Sequence, residues 1–424
     1  MTPRGERRTH RYRGVLVALV AGLALVGQTP ASVQGDHGGR DIGSLFACDR
    51  PVLPPRCLSV GNDHRHYVHL DDGMPDELAA ALRDAIATDY DARTNLTVVA
   101  QPRIDARTDV IAYANDYGDN GAAGWVYCPP EAPQGESPQG DRWCQRQELY
   151  LNLNARFGAY FADDGSRAHV ACHELGHTLG LRHWGNPPDT AGPAAATCMN
   201  GDSPDGPTDL HQIDIDHINA YYARPKAQPR RDPYDFVVER PAHADEALSA
   251  WSQTLVAASE VEHYGSLDEM AAAADAVVVG RITAIRAGRL FGVPGRSSLQ
   301  YAAATVRIDQ LLAASPATPL AAGTELTLEI PLYAGAGSLP QLRDALAATE
   351  GLFFLRRKTD APDEAGVYRL VTMRGLVLDD GGRAVTLPGE DDFIAALDGL
   401  SFDEVARRVG QTVPPIRTRM AYAS

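Results

Sequence analysis

Short alternating segments and longer segments of helical period succeed one another along the first half of the chain. Residues 66–70 (HYVHL), 96–100 (LTVVA), 110–114 (VIAYA) and 148–153 (ELYLNL) combine alternation with β-branched or aromatic residues, which predicts strands. Residues 76–90 place Leu78, Leu82, Ala85 and Ile86 at helical spacing behind Pro75, a residue suited to a first helical turn. Residues 166–179 predict a second helix with Ser166 as its N-cap, and 209–222 a third with Ile213, Ile218 and Tyr221 facing inward. Between them, 118–124 reads as a Gly/Asn/Asp loop and 129–140 as a Pro/Gly-rich excursion. The order strand, helix, three strands, two helices predicts a mixed α/β layer.

The second half has a different pattern. Residues 225–242, with four prolines and clustered Arg and Asp, read as a linker. Beyond it, 244–258 and 267–274 read as helices. Residues 276–285, 302–308, 325–330, 352–355, 368–373 and 385–387 read as strands separated by turn signals, and 402–409 as a closing helix. A β-rich accessory domain over 243–424, built as a small barrel or sandwich, is expected. The stretch 274–282 (ADAVVVGRI) resembles the opening of small oligonucleotide-binding-type barrels, which also occur in protein inhibitors. The linker, and the confinement of all cysteines to one side of it, predict that the two halves fold independently.

Composition narrows the function. The 424 residues carry 39 basic and 55 acidic side chains, a net charge of −16, so nucleic acid is not the expected partner. Five arginines precede an uncharged apolar run at 14–27, too short for the roughly 20 residues of a membrane span. This reads as a secretory signal peptide over 1–31, followed by an irregular arm over 32–62 and a secreted, extracellular mature chain with no membrane span. Six cysteines (Cys48, Cys57, Cys128, Cys144, Cys172 and Cys198) suit three disulfides in an oxidising compartment, and pairing of neighbours gives Cys48–Cys57, Cys128–Cys144 and Cys172–Cys198.

The chemistry concentrates at 173–183, His-Glu-Leu-Gly-His-Thr-Leu-Gly-Leu-Arg-His. His173 and His177, four apart on a helix, present both imidazoles on one side. Gly180 can take the conformation that ends a helix, and His183 then returns as a third nitrogen ligand. Three neutral nitrogens leave one tetrahedral position of a zinc ion open to water, and Glu174 on the same turn can take that water's proton. The competing class is a non-catalytic binding or adhesion protein built on the same zinc fold. The presence of Glu174 discriminates against it, because a purely structural site has no need of that carboxylate.

This extended motif resembles that of the metzincin zinc endopeptidases, in a matrixin-like secreted bacterial form, over about residues 60–223. The resemblance implies an α+β catalytic domain at 63–224 with a twisted mixed sheet, an active-site helix and a closing helix. It implies one catalytic Zn²⁺ on His173, His177 and His183, Glu174 as general base, and a protein or peptide substrate. Met199, in Cys198-Met199-Asn200, matches the family's methionine turn. Asp214, Asp216, Ile218 and Tyr221 match its closing helix, and 147–154 its edge strand, so a substrate chain is expected to pair near 149–153. The family fold would also bring Cys172 to Cys198. Trp184 and Gly201 depart from the known subfamily patterns, so no tyrosine ligand is expected. A structural Ca²⁺ is not placed. Asp109, Asp116 and Asp119 are its candidates, and are read as solvated turn acids. Pro55-Arg56-Cys57 faintly resembles the matrixin cysteine switch, but Cys48 offers Cys57 a disulfide partner. His64, His66 and His69 are read as a surface strand and not as a second metal site.

Overall fold

Both alternating sets of side chains in the central strands are largely apolar and buried, and this decides the architecture. The structure, a computed structural model, describes residues 59–222 and 251–412 apart from 130, 137–141, 184–196, 201–203, 252–256, 261, 263, 316–317, 319, 334–337, 361–365 and 387–391. The expected signal peptide, the expected Cys48–Cys57 pairing, the switch-like Pro55-Arg56-Cys57, Trp184, Gly201 and the expected linker at 225–242 therefore lie outside the described residues. Strands β1 (Val60–Gly61), β2 (Arg65–Leu70), β3 (Thr97–Gln101), β4 (Val110–Asn115), β5 (Ala122–Tyr127), β6 (Gln134–Glu136), β7 (Arg142–Cys144), β8 (Gln147–Asn152) and β9 (Ala257–Glu260) build two sheets. The larger has the order β3-β2-β4-β8-β5-β9, the smaller β1-β7-β6. Strands β3, β2, β4 and β8 are mutually parallel, while β5 runs antiparallel to β8 and β9 antiparallel to β5.

Val110, Ala112, Leu149, Leu151, Ala123 and Val126 face a core shared with three helices. These are α1 (Asp76–Ala85), continued by a wider turn to Asp91, α2 (Asp164–Thr178) and α3 (Gln212–Tyr222). The intervening Ile111, Tyr113, Tyr150, Trp125 and Tyr127 face the other way, into a cluster with Leu299, Tyr301 and Tyr333 of the second half. The Trp125 indole stacks on Tyr150 with ring centroids 4.9 Å apart. The sheet is thus buried on both faces, as near-continuous apolar strands require.

Several expectations are corrected. Segment 147–154 is not an edge: β8 lies between β4 and β5. The predicted loop at 118–124 already contains the start of β5, because the small residues Ala122, Ala123 and Gly124 mask a strand period. The cap of α2 is Asp163, whose side chain accepts from the Ser166 N–H, not Ser166 itself. Helix α3 buries Ile218 as expected, with Ile213 and Tyr221 partly buried against the same core, but Ile215 and Tyr222 lie deeper in it than either. His66 and His69 are buried, since β2 is flanked by strands on both sides; His64 is exposed. Residues 257–258, expected to end a helix, instead open strand β9. The first fold also begins before 63, because β1 joins the small sheet.

The second half contains α4 (Leu267–Ala273), β10 (Ala276–Val293), β11 (Ser297–Ala314), β12 (Glu325–Pro331), α5 (Leu339–Leu346), β13 (Glu350–Arg357), β14 (Val367–Leu370), β15 (Leu376–Asp380), β16 (Arg383–Val385), α6 (Asp392–Ala395) and α7 (Phe402–Thr412). Its pairings close a cycle, β10–β11–β12–β14–β13–β10, in which only β12–β14 is parallel. Gly280 and Gly351 face each other where β10 meets β13, and a Cβ on Gly280 would stand 2.5 Å from the Arg307 carbonyl oxygen. Helix α5 and strand β15 escaped the sequence reading, as did the full length of β10 and β11. These strands extend into polar, half-exposed stretches that only pairing makes regular.

The two halves are joined by buried charge as well as by aromatic packing. The Arg369 guanidinium donates to Asp119 at 2.8 Å, both groups buried. The Asp119 N–H donates to Asp360 at 2.7 Å, and the Tyr301 hydroxyl donates to the Tyr117 carbonyl at 2.9 Å. Burial alone would raise the carboxyl pKa of Glu262, but the charges of Arg369 and Arg356 outweigh it and hold it below its ordinary value. Burial would likewise raise Asp360, and the Lys358 charge with the Asp119 N–H lowers it. Asp109 and Asp119, read as solvated, are buried; Asp109 accepts from the Tyr67 N–H at 2.8 Å.

Three outcomes are expected. A chain ending at residue 224 uncovers Trp125, Tyr113 and Tyr150, and should be less soluble and melt lower than the full chain. Depressed carboxyl pKa values stabilise the fold above the ordinary values of about 3.9–4.3 and lose that contribution as pH falls through the folded-state values. The melting temperature should therefore drop steeply below about pH 4, a slope that Arg369→Ala reduces. At neutral pH that substitution should cost on the order of 3–5 kcal/mol in thermal or denaturant unfolding, because it strands the buried Asp119.

Candidate metal centre

Helix α2 carries His173, Glu174 and His177, all fully or almost fully buried. It ends at Leu179. Gly180 adopts φ +90°, and the Leu181 N–H bonds back to the Gly176 carbonyl at 3.0 Å, a glycine-closed terminus that turns the chain toward His183. The three histidines are the cluster among the described residues whose ligand atoms come together. Their Nε2 atoms stand 2.9 Å (173–177), 3.0 Å (177–183) and 3.1 Å (173–183) apart.

The outer nitrogens explain this convergence. His173 Nδ1 lies 2.8 Å from the Cys198 carbonyl, and His177 Nδ1 2.8 Å from the Leu181 carbonyl. A carbonyl only accepts, so both Nδ1 atoms hold the proton and both Nε2 atoms present lone pairs to the centre. Burial, then the neighbouring His177, His183 and His169 rings, push the His173 pKa well below its ordinary value, against the Cys198 carbonyl. Neutral lone pairs facing one another at this distance suit a cation. Tetrahedral nitrogens at the ~2.0–2.1 Å of a zinc–nitrogen bond stand about 3.3 Å apart, so the donor set fits zinc.

His66, read from the sequence as part of a surface strand, and residues to which the sequence reading gave no role hold this arrangement. The Tyr90 hydroxyl donates to the Cys172 carbonyl at 2.6 Å. His66 Nε2 lies 2.9 Å from the Thr178 hydroxyl, which itself donates to the Leu175 carbonyl, so His66 is the donor in that pair. Gln147 donates to the Thr178 carbonyl at 2.6 Å, and the Tyr222 hydroxyl to the Leu179 carbonyl at 2.9 Å. Thr178, Gln147 and Tyr222 thus satisfy the Leu175, Thr178 and Leu179 carbonyls at the end of the helix. Gln147 and Tyr222 offered no motif; their role exists only in three dimensions.

Met199 is fully buried beneath α2, and Gly176 faces its sulfur closely enough that a Cβ there would collide with it. The turn is held from α3: Asp214 accepts from the Thr197 hydroxyl at 2.5 Å and from the His211 N–H at 3.1 Å. Cys172 and Cys198 are joined by a disulfide with Cα atoms 5.9 Å apart, and Cys128 and Cys144 by another at 6.1 Å. Gly124 of β5 faces Glu174 at close range, and a Cβ there would stand 2.5 Å from Oε1. An isolated glycine inside the run AAGWVY was a legible signal of close approach. Asp109, Asp116 and Asp119 do not assemble into a cluster.

Comparison with known proteins adds little. The family model described as helix-turn-helix, Psq domain, matches residues 266–307. In the structure that stretch is one short helix followed by two long antiparallel strands. No curated protein matches the sequence. Among solved structures, High choriolytic enzyme 1, a hatching enzyme zinc-protease from Oryzias latipes (Medaka fish), is similar at 13% identity and a TM-score of 0.22, over 38% of this chain and 89% of that one. A TM-score of that size carries no argument; the three histidines do.

Loss of the Cys172–Cys198 bridge should destabilise the fold and loosen the site without removing a ligand. The bridge spans 26 positions, and closing a loop of that size is worth roughly 3 kcal/mol. Cys172→Ala/Cys198→Ala should lower the melting temperature and release bound zinc faster to a colorimetric chelator.

Proposed function

We propose that this chain is a secreted zinc-dependent endopeptidase of the metzincin type, matrixin-like in its closing helix. The observation that carries the reading is the meeting of three imidazole Nε2 atoms within 3.1 Å of one another, with the buried carboxylate of Glu174 on the same helix. His173, His177 and His183 would hold the ion, which when bound supplies a coordinated water of pKa near 7 and polarises the scissile carbonyl. Glu174 accepts the proton of the attacking water and returns it to the leaving nitrogen. His173 and His177 stay fixed in the tautomer that leaves Nε2 unprotonated. Gly124 lets the β5 backbone run close over the carboxylate, so an extended peptide paired with β5 would have its backbone beside Glu174. The disulfides fit an oxidising compartment, and among the described residues no helix is long and apolar enough to cross a membrane. The five-strand cycle supports reading the second half as a small barrel that covers the catalytic sheet.

Incubation with an unbiased peptide mixture should give cleavage that a strong chelator abolishes and zinc restores; full cleavage under chelation would sink the mechanism. Glu174→Gln should keep zinc at one equivalent by metal analysis while turnover falls about 10²–10⁴-fold, the usual contribution of a general base.

A further inference from the structure

The strand nearest Glu174 already has a partner from this same chain. β5 is the outermost strand supplied by the first half, with β8 on one side. Its other edge is occupied by β9, antiparallel, with Ala122 opposite Glu260, Trp125 opposite Ala258 and Val126 opposite Ala257. The register is irregular between Ala122 and Trp125, the stretch that contains Gly124 and faces Glu174. β9 also comes within 8 Å, Cα to Cα, of α2. It thus has the direction, edge and depth that an extended peptide must take to reach Glu174.

A clamp follows two residues later. The Glu262 carboxylate accepts from Arg156 at 3.0 Å, from Arg356 at 3.0 Å and from Arg369 at 3.4 Å, and from the Tyr264 hydroxyl at 3.0 Å. Arg156 follows β8 in the catalytic half, whereas Arg356 and Arg369 lie on β13 and β14. One carboxylate therefore pins the segment to both halves. The strand itself, Ala-Ala-Ser-Glu, has no β-branched or aromatic residue and intrinsically weak strand propensity. It is held on β5 by main-chain pairing and, two residues on, by the clamp.

We propose that Ala257–Glu260 is an internal occupant of the peptide-binding edge, so that the chain as folded is self-blocked and an extended polypeptide reaches Glu174 only after β9 leaves β5. The proposal rests on the endopeptidase reading for what the edge binds. β9 and a substrate backbone compete for the same N–H and C=O groups of 122–127.

The test uses the zinc-loaded full chain and Ala258→Pro, which removes a strand N–H opposite Trp125. Hydrogen exchange should show 122–127 protected in the parent and less protected in the variant. A strand seated nine-tenths of the time lowers apparent peptide affinity about ten-fold. In a Glu174→Ala background, a labelled synthetic peptide of the sequence 255–262 should thus bind Ala258→Pro about ten-fold more tightly by fluorescence anisotropy. With Glu174 intact, cleavage of extended peptides should rise by a similar factor. Glu262→Gln, which weakens the clamp and leaves the strand sequence alone, should shift binding and exchange in the same direction, and carries the test if the proline variant misfolds. Rapid exchange of 122–127 in the parent, or loss of protection with no gain in peptide binding, overturns the proposal. A gain in binding with no cleavage by any variant upholds the blocked edge and refutes the peptidase.

Discussion

Three imidazole Nε2 atoms meet at one point, two of them held as lone pairs that repel each other unless a cation or a proton lies among them, and much of the first half is a frame that keeps them there. Two backbone carbonyls fix the tautomers of His173 and His177. One of those carbonyls belongs to Cys198, which is bonded to Cys172 on the helix and precedes Met199 beneath it. The segment that carries Met199 is tied to Asp214 on α3 through the Thr197 hydroxyl. Covalent bond, apolar seat and buried carboxylate converge on one short loop, because a shift of that loop would release the proton-holding carbonyl and with it the ligand.

The same economy appears at the end of α2. A helix that stops in the interior leaves carbonyls that water cannot reach. Gln147 from β8, Tyr222 from α3 and Thr178 with His66 from β2 supply what the buried end needs. Each of these elements is thereby positioned relative to the ligands, so the sheet, the helix and the closing helix are aligned by hydrogen bonds that also serve the site.

Burial of the sheet on both faces has a second consequence. Strands β4, β5 and β8 place their second set of side chains against Leu299, Tyr301 and Tyr333, so the second half completes the core of the first. Covering that face brings the chain back along β5, where β9 pairs with the strand that passes over Glu174. The accessory half is therefore coupled to the site by packing, by the Asp119–Arg369 pair and by the Glu262 clamp.

The local content of the site was legible in the sequence: the i, i+4 histidines, the glycine that ends the helix and the third histidine beyond it depend on helical geometry alone. So were the existence of strands β2, β3, β4 and β8, helices α1 and α2, and the neighbour pairing of four cysteines, since each follows from short-range periodicity or spacing. The outward apolar set of Ile111, Tyr113, Trp125 and Tyr150 was equally visible, but alternation does not say what a strand's second face meets. Which strand lies at the edge, what covers it, which way α3 turns, and why His66 is buried were decided by tertiary structure. Each depends on pairing between residues tens to hundreds of positions apart, and pairing across such distances leaves no mark in the local pattern of either partner.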